Sequence, residues 1–287
     1  MQSKNTFFSK KTTINCGGEL IDLSRPQIMG ILNITPDSFY DGGKYKNETD
    51  ILQQVDKMLT EGATFIDIGA YSSRPGAKHI NQEEELKRLT SVIPLLKNKF
   101  KDIHISVDTF RSEVAETAVL DLGVELINDI SAGGMDKQMF DTIAKLDVPY
   151  IMMHMQGTPQ NMQDNPKYDE IIKDIIDFFH PKVQQLKQKG VADIIIDPGF
   201  GFGKTLEHNY ELLSKLDTLK IFELPMLVGA SRKSMIHHLL KNTPEEALNG
   251  TTVVNSIALS KGANILRVHD VKEAVETVKI VNELLKH

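Results

Sequence analysis

The sequence predicts an α/β fold, a single (β/α)8 TIM barrel with an N-terminal β-hairpin. Three observations predict it: eight short apolar runs alternate with helical patterns, polar or glycine-rich residues follow nearly every run, and 287 residues suit one such barrel. Parallel strands joined by helices must close or spread, and an open, doubly wound sheet is the other solution. An open sheet gathers its chemistry near a switch point, whereas here it follows strand after strand.

The first 26 residues, with Gly17-Gly18 as a turn, read as a hairpin or extension closing the bottom of the barrel. Residues 27–287 read as the barrel itself, and no stretch rich in proline, glycine or serine divides this one domain. The strand-like runs are Ile28 to Leu32, Phe65 to Ile68, Ile103 to Val107, Glu125 to Asn128, Tyr150 to Met153, Ile194 to Ile196, Pro225 to Val228 and Ile265 to Val268. Helical patterns between them include Ile51 to Leu59, Glu83 to Leu96, Glu113 to Leu122, Tyr168 to Lys189, Glu207 to Leu216, Glu245 to Ser260 and Val271 to Leu285.

A net charge of −6 argues against a surface built to bind nucleic acid. Cys16, the only cysteine, excludes an intrachain disulfide and a thiolate-rich metal site. Lys4, Lys10 and Lys11 are followed by no apolar segment long enough for a signal peptide, and no run approaches a membrane span. A cytoplasmic location is expected.

The first run leads into Asn33-Ile34-Thr35-Pro36-Asp37-Ser38-Phe39-Tyr40-Asp41-Gly42-Gly43. This is long for a plain connection, and its oxygen ligands and glycine hinges suit a lid over an anion or Mg²⁺. After the second run, Arg74 in Gly69-Ala70-Tyr71-Ser72-Ser73-Arg74-Pro75-Gly76 can grip a carboxylate or phosphate with two parallel hydrogen bonds. Asp108, Asn128 and Asp197 end the third, fourth and sixth runs. In a barrel they share one cavity, where their acceptors match a ligand edge rich in N–H donors; the alternative for each is a helix cap.

The sixth run ends in Asp197-Pro198-Gly199-Phe200-Gly201-Phe202-Gly203-Lys204, which sets a carboxylate beside apolar walls, a place suited to a flat polar ring. The seventh is followed by Gly229-Ala230-Ser231-Arg232-Lys233-Ser234 and the eighth by Arg267-Val268-His269-Asp270. Asp270 with Glu273 reads as a capping box, which places His269 by a helix N-terminus and makes Arg267, His269 and Asn33 a candidate anion site. Gly203-Lys204-Thr205 looks like the end of a phosphate loop but fails, because Pro198 stands where the first glycine is needed. Met152, Met153 and Met155 flank His154, as core or against a flat ring.

Taken together, Asn33-Ile-Thr-Pro-Asp-Ser-Phe39, Ser73-Arg74-Pro75-Gly76, Asp108-Thr109, Asn128-Asp129, Met153-His154-Met155-Gln156-Gly157, Asp197-Pro-Gly-Phe-Gly-Phe-Gly203, Ser231-Arg-Lys-Ser234 and Arg267-Val-His269 resemble the dihydropteroate synthase family. The resemblance runs in order from about Ile28 to the C-terminus. It implies a pterin-binding TIM barrel of the folate pathway and a transferase. The reaction it implies condenses 6-hydroxymethyl-7,8-dihydropterin diphosphate with 4-aminobenzoate to 7,8-dihydropteroate and diphosphate in an SN1-like order.

By matching position, the resemblance assigns the pterin to Asp108, Asn128, Met153, Asp197, Phe202 and Lys233. It assigns the diphosphate to Asn33, Arg267 and His269, with Mg²⁺ at Asn33. Aminobenzoate falls to Phe39, Ser73, Arg74, Pro75, Lys233 and Ser234, with Asp41 in the closing loop. Asp108, Lys233, Arg267 and His269 carry the catalytic roles, and the expected partners are small substrates, sulfonamide inhibitors and a second copy in a homodimer. Tyr71 and Ser73 depart from the family, which usually has Glu and Thr there. Two other functions would share the pocket: methyl transfer from methyltetrahydrofolate, and pterin binding without turnover. Diphosphate release separates the first from the synthase, and binding without product marks the second.

Overall fold

β-Branched and long aliphatic residues fill the predicted runs, so each run is buried on both faces, as a parallel strand between an inner core and outer helices is. A computed structural model describes residues 12–35, 48–72 and 79–287; Phe39, Asp41, Ser73, Arg74 and Pro75 lie outside the described residues. The hairpin is present as β1 (Thr13–Cys16) paired antiparallel with β2 (Glu19–Asp22). Gly17 and Gly18 make its turn at φ +60° and +95°, a region that L side chains rarely adopt.

Eight parallel strands follow: β3 (Gln27–Asn33), β4 (Phe65–Gly69), β5 (His104–Asp108), β6 (Leu126–Asp129), β7 (Tyr150–Met153), β8 (Ile194–Asp197), β9 (Leu227–Val228) and β10 (Ile265–Val268). Their order is β8-β7-β6-β5-β4-β3-β10-β9, and a parallel bridge from Ile196 to Met226 joins the two ends of the ring. The helices among the described residues are α1 (Glu48–Glu61), α2 (Gln82–Lys99), α3 (Ser112–Leu120), α4 (Met139–Leu146), α5 (Ile171–Gln188), α6 (Leu206–Ser214), α7 (Ser234–Leu240), α8 (Leu248–Ser260) and α9 (Val271–Leu284). The (β/α)8 barrel is therefore the fold. Helices α4 and α7 add to the predicted patterns, being too short to display a clear helical period.

Side chains two apart along a strand share a face, and this alternation sorts the barrel into an inside and an outside. Outward residues such as Ile66, Ile105, Ile127, Met152, Ile196 and Leu266 pack against the helices in one core. Inward, Met29, Phe65, Leu126, Ile151, Ile195, Leu227 and Ile265 form an apolar layer capped from below by Ile14, Cys16, Ile21 and Leu23. Each fully buried side chain of this kind contributes about 1.5–3 kcal/mol. Burial pushes the Cys16 thiol up to about 12, which leaves it a packing residue rather than a nucleophile.

Two residues further along the same inward faces, the chemistry changes to Asp67, Asn128, Met153, Asp197 and Arg267. The apolar layer is thus a floor, and the polar layer rests on it toward the carboxyl ends of the strands.

Candidate active site

Strand register sets the first neighbours. Asp108 of β5 lies opposite Asn128 of β6, and Met153 of β7 lies opposite Asp197 of β8. Asp67 sits two residues deeper than Gly69, the register partner of Asp108, and is 0% exposed.

Arg267, on β10, ties this group together. Its Nε donates to Asp67 Oδ2 at 2.6 Å and its Nη2 to Asp108 Oδ2 at 3.0 Å. Asp67 Oδ2 also accepts from Asn128 Nδ2 at 3.2 Å, which turns the amide nitrogen inward. A guanidinium held by two carboxylates is fixed in direction, and its planar fork suits anions as well.

The second half of the site hangs on Asp197. Its Oδ1 accepts from the Gly199 backbone N–H at 2.8 Å, closing the glycine-rich turn on itself. Lys233 reaches the same turn: Nζ donates to Phe200 O at 2.5 Å and stands 4.5 Å from the centre of the Phe202 ring. Phe202 packs with Met153 and Met155 in an apolar cluster that also holds Tyr71, Phe110, Ile130 and Met162.

Burial and charge work against each other here. Burial pushes the Asp108 carboxyl up to about 7 against the pull of Arg267, while nearby Asp67 pushes the same way as burial. Asp197 is also raised by burial, and Lys233, the Gly199 N–H, Arg267 and Lys204 hold it down. Lys233 is lowered to about 8, by burial first, then against the pull of Asp197. Carboxylates and cations that would titrate apart in water are here close enough for each to set the other's charge.

Around the mouth, the loops after β9 and β10 lock together. Ser231 Oγ lies 3.0 Å from His269 Nδ1 and accepts from the His269 backbone N–H at 3.2 Å. Arg232 forks onto Asp270 at 2.8 and 2.7 Å and donates to the carbonyls of Pro244 and Glu245 at 2.8 and 2.6 Å. The capping box predicted for Asp270 and Glu273 is therefore not formed; Asp270 is the N-cap of α9 by position only, and its carboxylate serves Arg232. A buried guanidinium outbids the backbone N–H groups of a helix start, because a charge-assisted bidentate pair is the stronger interaction.

The structure brings Asp108, Asn128, Met153, Asp197, Phe202, Lys233 and Arg267 to one end of the barrel, with His269 at the adjoining loop. Ser234 opens α7 and is exposed. Asn33 ends β3, where a Cβ on Gly69 would come within 3.0 Å of its Oδ1, so the glycine leaves room for the amide. Among the described residues no cluster of three or more His, Cys, Asp or Glu could hold a metal. The single amide oxygen of Asn33 suits a hard cation that takes its other ligands from water and phosphate, as Mg²⁺ does.

Asp129, next to Asn128 in sequence, serves its own loop: it accepts from Ser131 N and Oγ at 2.7 Å, Gly133 N at 2.7 Å and Tyr150 Oη at 2.6 Å. Tyr71 takes a neutral role, its hydroxyl 3.0 Å from Gln160 Nε2 and 3.2 Å from His79 Nδ1. Asp67 and Arg232 are functional neighbours that sequence reasoning missed. Asp67 had one signal, a lone charge inside an apolar strand, which a buried partner must answer.

The profile of the family described as pterin binding enzyme matches residues 29–269. A dihydropteroate synthase of Escherichia coli strain K12 is 43% identical over 270 residues, spanning 93% of this chain and 95% of that protein. Among solved structures, Yersinia pestis dihydropteroate synthase in complex with a sulfonamide drug superposes with a TM-score of 0.90 at 45% identity, covering 96% of this chain and 99% of that one. Xanthomonas albilineans dihydropteroate synthase with 4-aminobenzoic acid gives a TM-score of 0.86 at 35% identity, with 96% and 99% covered.

Proposed function

Since this chain belongs to the pterin binding enzymes, and among them to the dihydropteroate synthases, we propose that the carboxylate and guanidinium cluster at its barrel mouth joins a dihydropterin to 4-aminobenzoate. The substrates are 6-hydroxymethyl-7,8-dihydropterin diphosphate and the free aromatic amine; the products are 7,8-dihydropteroate and diphosphate. The observation that carries the reading is Arg267 held between Asp67 and Asp108, beside Asn128 and within the field of Asp197 and Lys233.

A dihydropterin offers amino and ring N–H donors along one edge. Asp197 and Asn128 meet them with acceptors, Lys233 donates to a ring acceptor, and Met153 and Phe202 cover the flat face. The bond from the methylene to the diphosphate oxygen breaks first, and its electron pair leaves with diphosphate. The Asp108 carboxylate stabilises the cation spread over the pterin, while Arg267 and His269 hold the departing anion.

The amine of 4-aminobenzoate then forms the new C–N bond and loses one proton. It is largely neutral near pH 7 and needs position and dryness rather than a strong base. Lys233 and Ser234, with Phe39, Ser73, Arg74, Pro75 and the closing-loop Asp41, make up the aminobenzoate side on family grounds, and sulfonamides compete there. Magnesium, when bound at Asn33, supplies positive charge that offsets the charge of the diphosphate.

The enzyme acts as a homodimer in the cytoplasm. Val253 and Ile257 of α8 and Ile280 and Leu284 of α9, each pair exposed one turn apart, support the dimer. Among the described residues no helix is long and apolar enough to cross a membrane.

The test is a coupled assay of diphosphate release with dihydropterin diphosphate, 4-aminobenzoate and Mg²⁺ each omitted in turn. Dihydropteroate forms only in the complete mixture. Product without aminobenzoate, or tight pterin binding with no diphosphate released, would overturn the reading.

A further inference from the structure

The lysine of the failed phosphate-loop stretch is buried rather than turned to a ligand: Lys204 is 3% exposed. Its Nζ lies 2.9 Å from Gly199 O, 3.1 Å from Phe202 O and 3.0 Å from His154 Nδ1. Gly199 O and Phe202 O each accept an N–H of Lys204, and in the ammonium form a third N–H is left for His154 Nδ1, the arrangement in which the imidazole carries its own proton on Nε2. Burial and the neighbouring Lys204 drive His154 down to about 2, so the imidazole stays neutral. Burial also draws Lys204 down to about 7, and Asp197 pulls it back toward the charged form.

The two carbonyls belong to the two ends of the turn after Asp197. That turn is pressed onto the end of β7: a Cβ on Gly199 would fall 1.9 Å from His154 O, and one on Gly203 2.5 Å from Gln156 O. That turn carries Phe200, whose carbonyl holds Lys233, and Phe202, whose ring lies under it.

We propose that Lys204 is a positioning residue of the pterin site, an ammonium behind the glycine-rich turn that fixes Phe200 and Phe202 and holds Asp197 ionised from the side away from the substrate. Asp197 faces Lys233 and Arg267 as well as Lys204. Lys204 in turn faces Asp197, Lys233 and His154, with the Tyr168 ring 6.0 Å away and its hydroxyl donating to Gly203 O at 2.7 Å. The inference rests on the pterin reading of the site.

Lys204→Gln keeps N–H donors for the turn carbonyls and removes the charge; Lys204→Arg keeps the charge. Without the charge, Asp197 gives up its proton less readily. On the acidic side of kcat/KM for dihydropterin diphosphate, the step that belongs to Asp197, distinct from that of Asp108, moves up by about one pH unit, a shift that Lys204→Arg reverses. KM for the pterin rises about tenfold, while KM for aminobenzoate stays within about twofold. A Lys204→Gln enzyme with wild-type circular dichroism, pH limb and pterin KM overturns the proposal.

Should that variant not fold, lysine ¹⁵N NMR of the wild-type enzyme reads the same coupling. Pterin binding then shifts the titration of the Lys204 ammonium, and an unmoved titration overturns the proposal. A wild-type enzyme that binds no dihydropterin would instead sink the pterin reading itself, which separates the two failures.

Discussion

Exchange of Asp67 for asparagine removes a buried charge while keeping shape and one acceptor. In the native protein its Oδ2 takes both the Arg267 Nε, at 2.6 Å, and the Asn128 Nδ2, at 3.2 Å. At a charge separation of about 4 Å and an effective dielectric near 20, the Asp67–Arg267 pair is worth roughly 4 kcal/mol before desolvation. After desolvation, a hydrogen bond between charged groups retains roughly 1.5–3 kcal/mol.

Asp108 still holds the guanidinium in the variant, so we take about 2 kcal/mol as the loss of correct placement, or roughly thirtyfold in kcat/KM. The assay is diphosphate release at varied dihydropterin diphosphate, with circular dichroism to establish that the barrel has formed. Asp67→Asn combined with Asp108→Asn should cost less than the sum of the two, because both act on one side chain. A well-folded Asp67→Asn enzyme within about twofold of wild type would refute the claim that Asp67 aims Arg267.

Asp108→Asn removes the charge facing the pterin cation, and kcat should fall by roughly a thousandfold, with a much smaller change in pterin KM, by steady-state kinetics. Because burial raises Asp108 to about 7 and the ionised form is the working one, turnover should be lost as pH falls through that value. A pH profile whose acidic limb lay below about 5 would contradict this. Arg232→Met removes the bidentate ion pair to Asp270 and the hydrogen bonds to two carbonyls, so stability should drop by about 3–5 kcal/mol, read as a fall in Tm of roughly 10 °C. An unchanged melting curve would show that the lock between the two loops is not structural.

Much of the site was legible because barrel strands are short, buried and all point one way. A polar residue at the end of an apolar run, such as Asp108, Asn128 or Asp197, can only emerge at the carboxyl face, so reading the runs already groups these residues. The two-residue alternation that puts Phe65 on the barrel floor also puts Asp67 in the polar layer above it. That signal lay in the strand itself, yet its meaning depended on a partner 200 residues away.

The amino-acid sequence by itself determined the strand and helix alternation, the hairpin turn at Gly17-Gly18 and the emergence of Asp108, Asn128, Asp197 and Arg267 at the barrel mouth, since these follow from local periodicity and from the positive φ that glycine readily adopts. Tertiary structure decided the partners. Asp270 has the local spacing of a helix cap and instead grips Arg232; Lys204 has the look of a phosphate lysine and instead spans the turn to His154. Local propensity offers each polar group a neighbour worth about 1 kcal/mol, whereas a buried charge must find a full counterpart wherever the fold brings one.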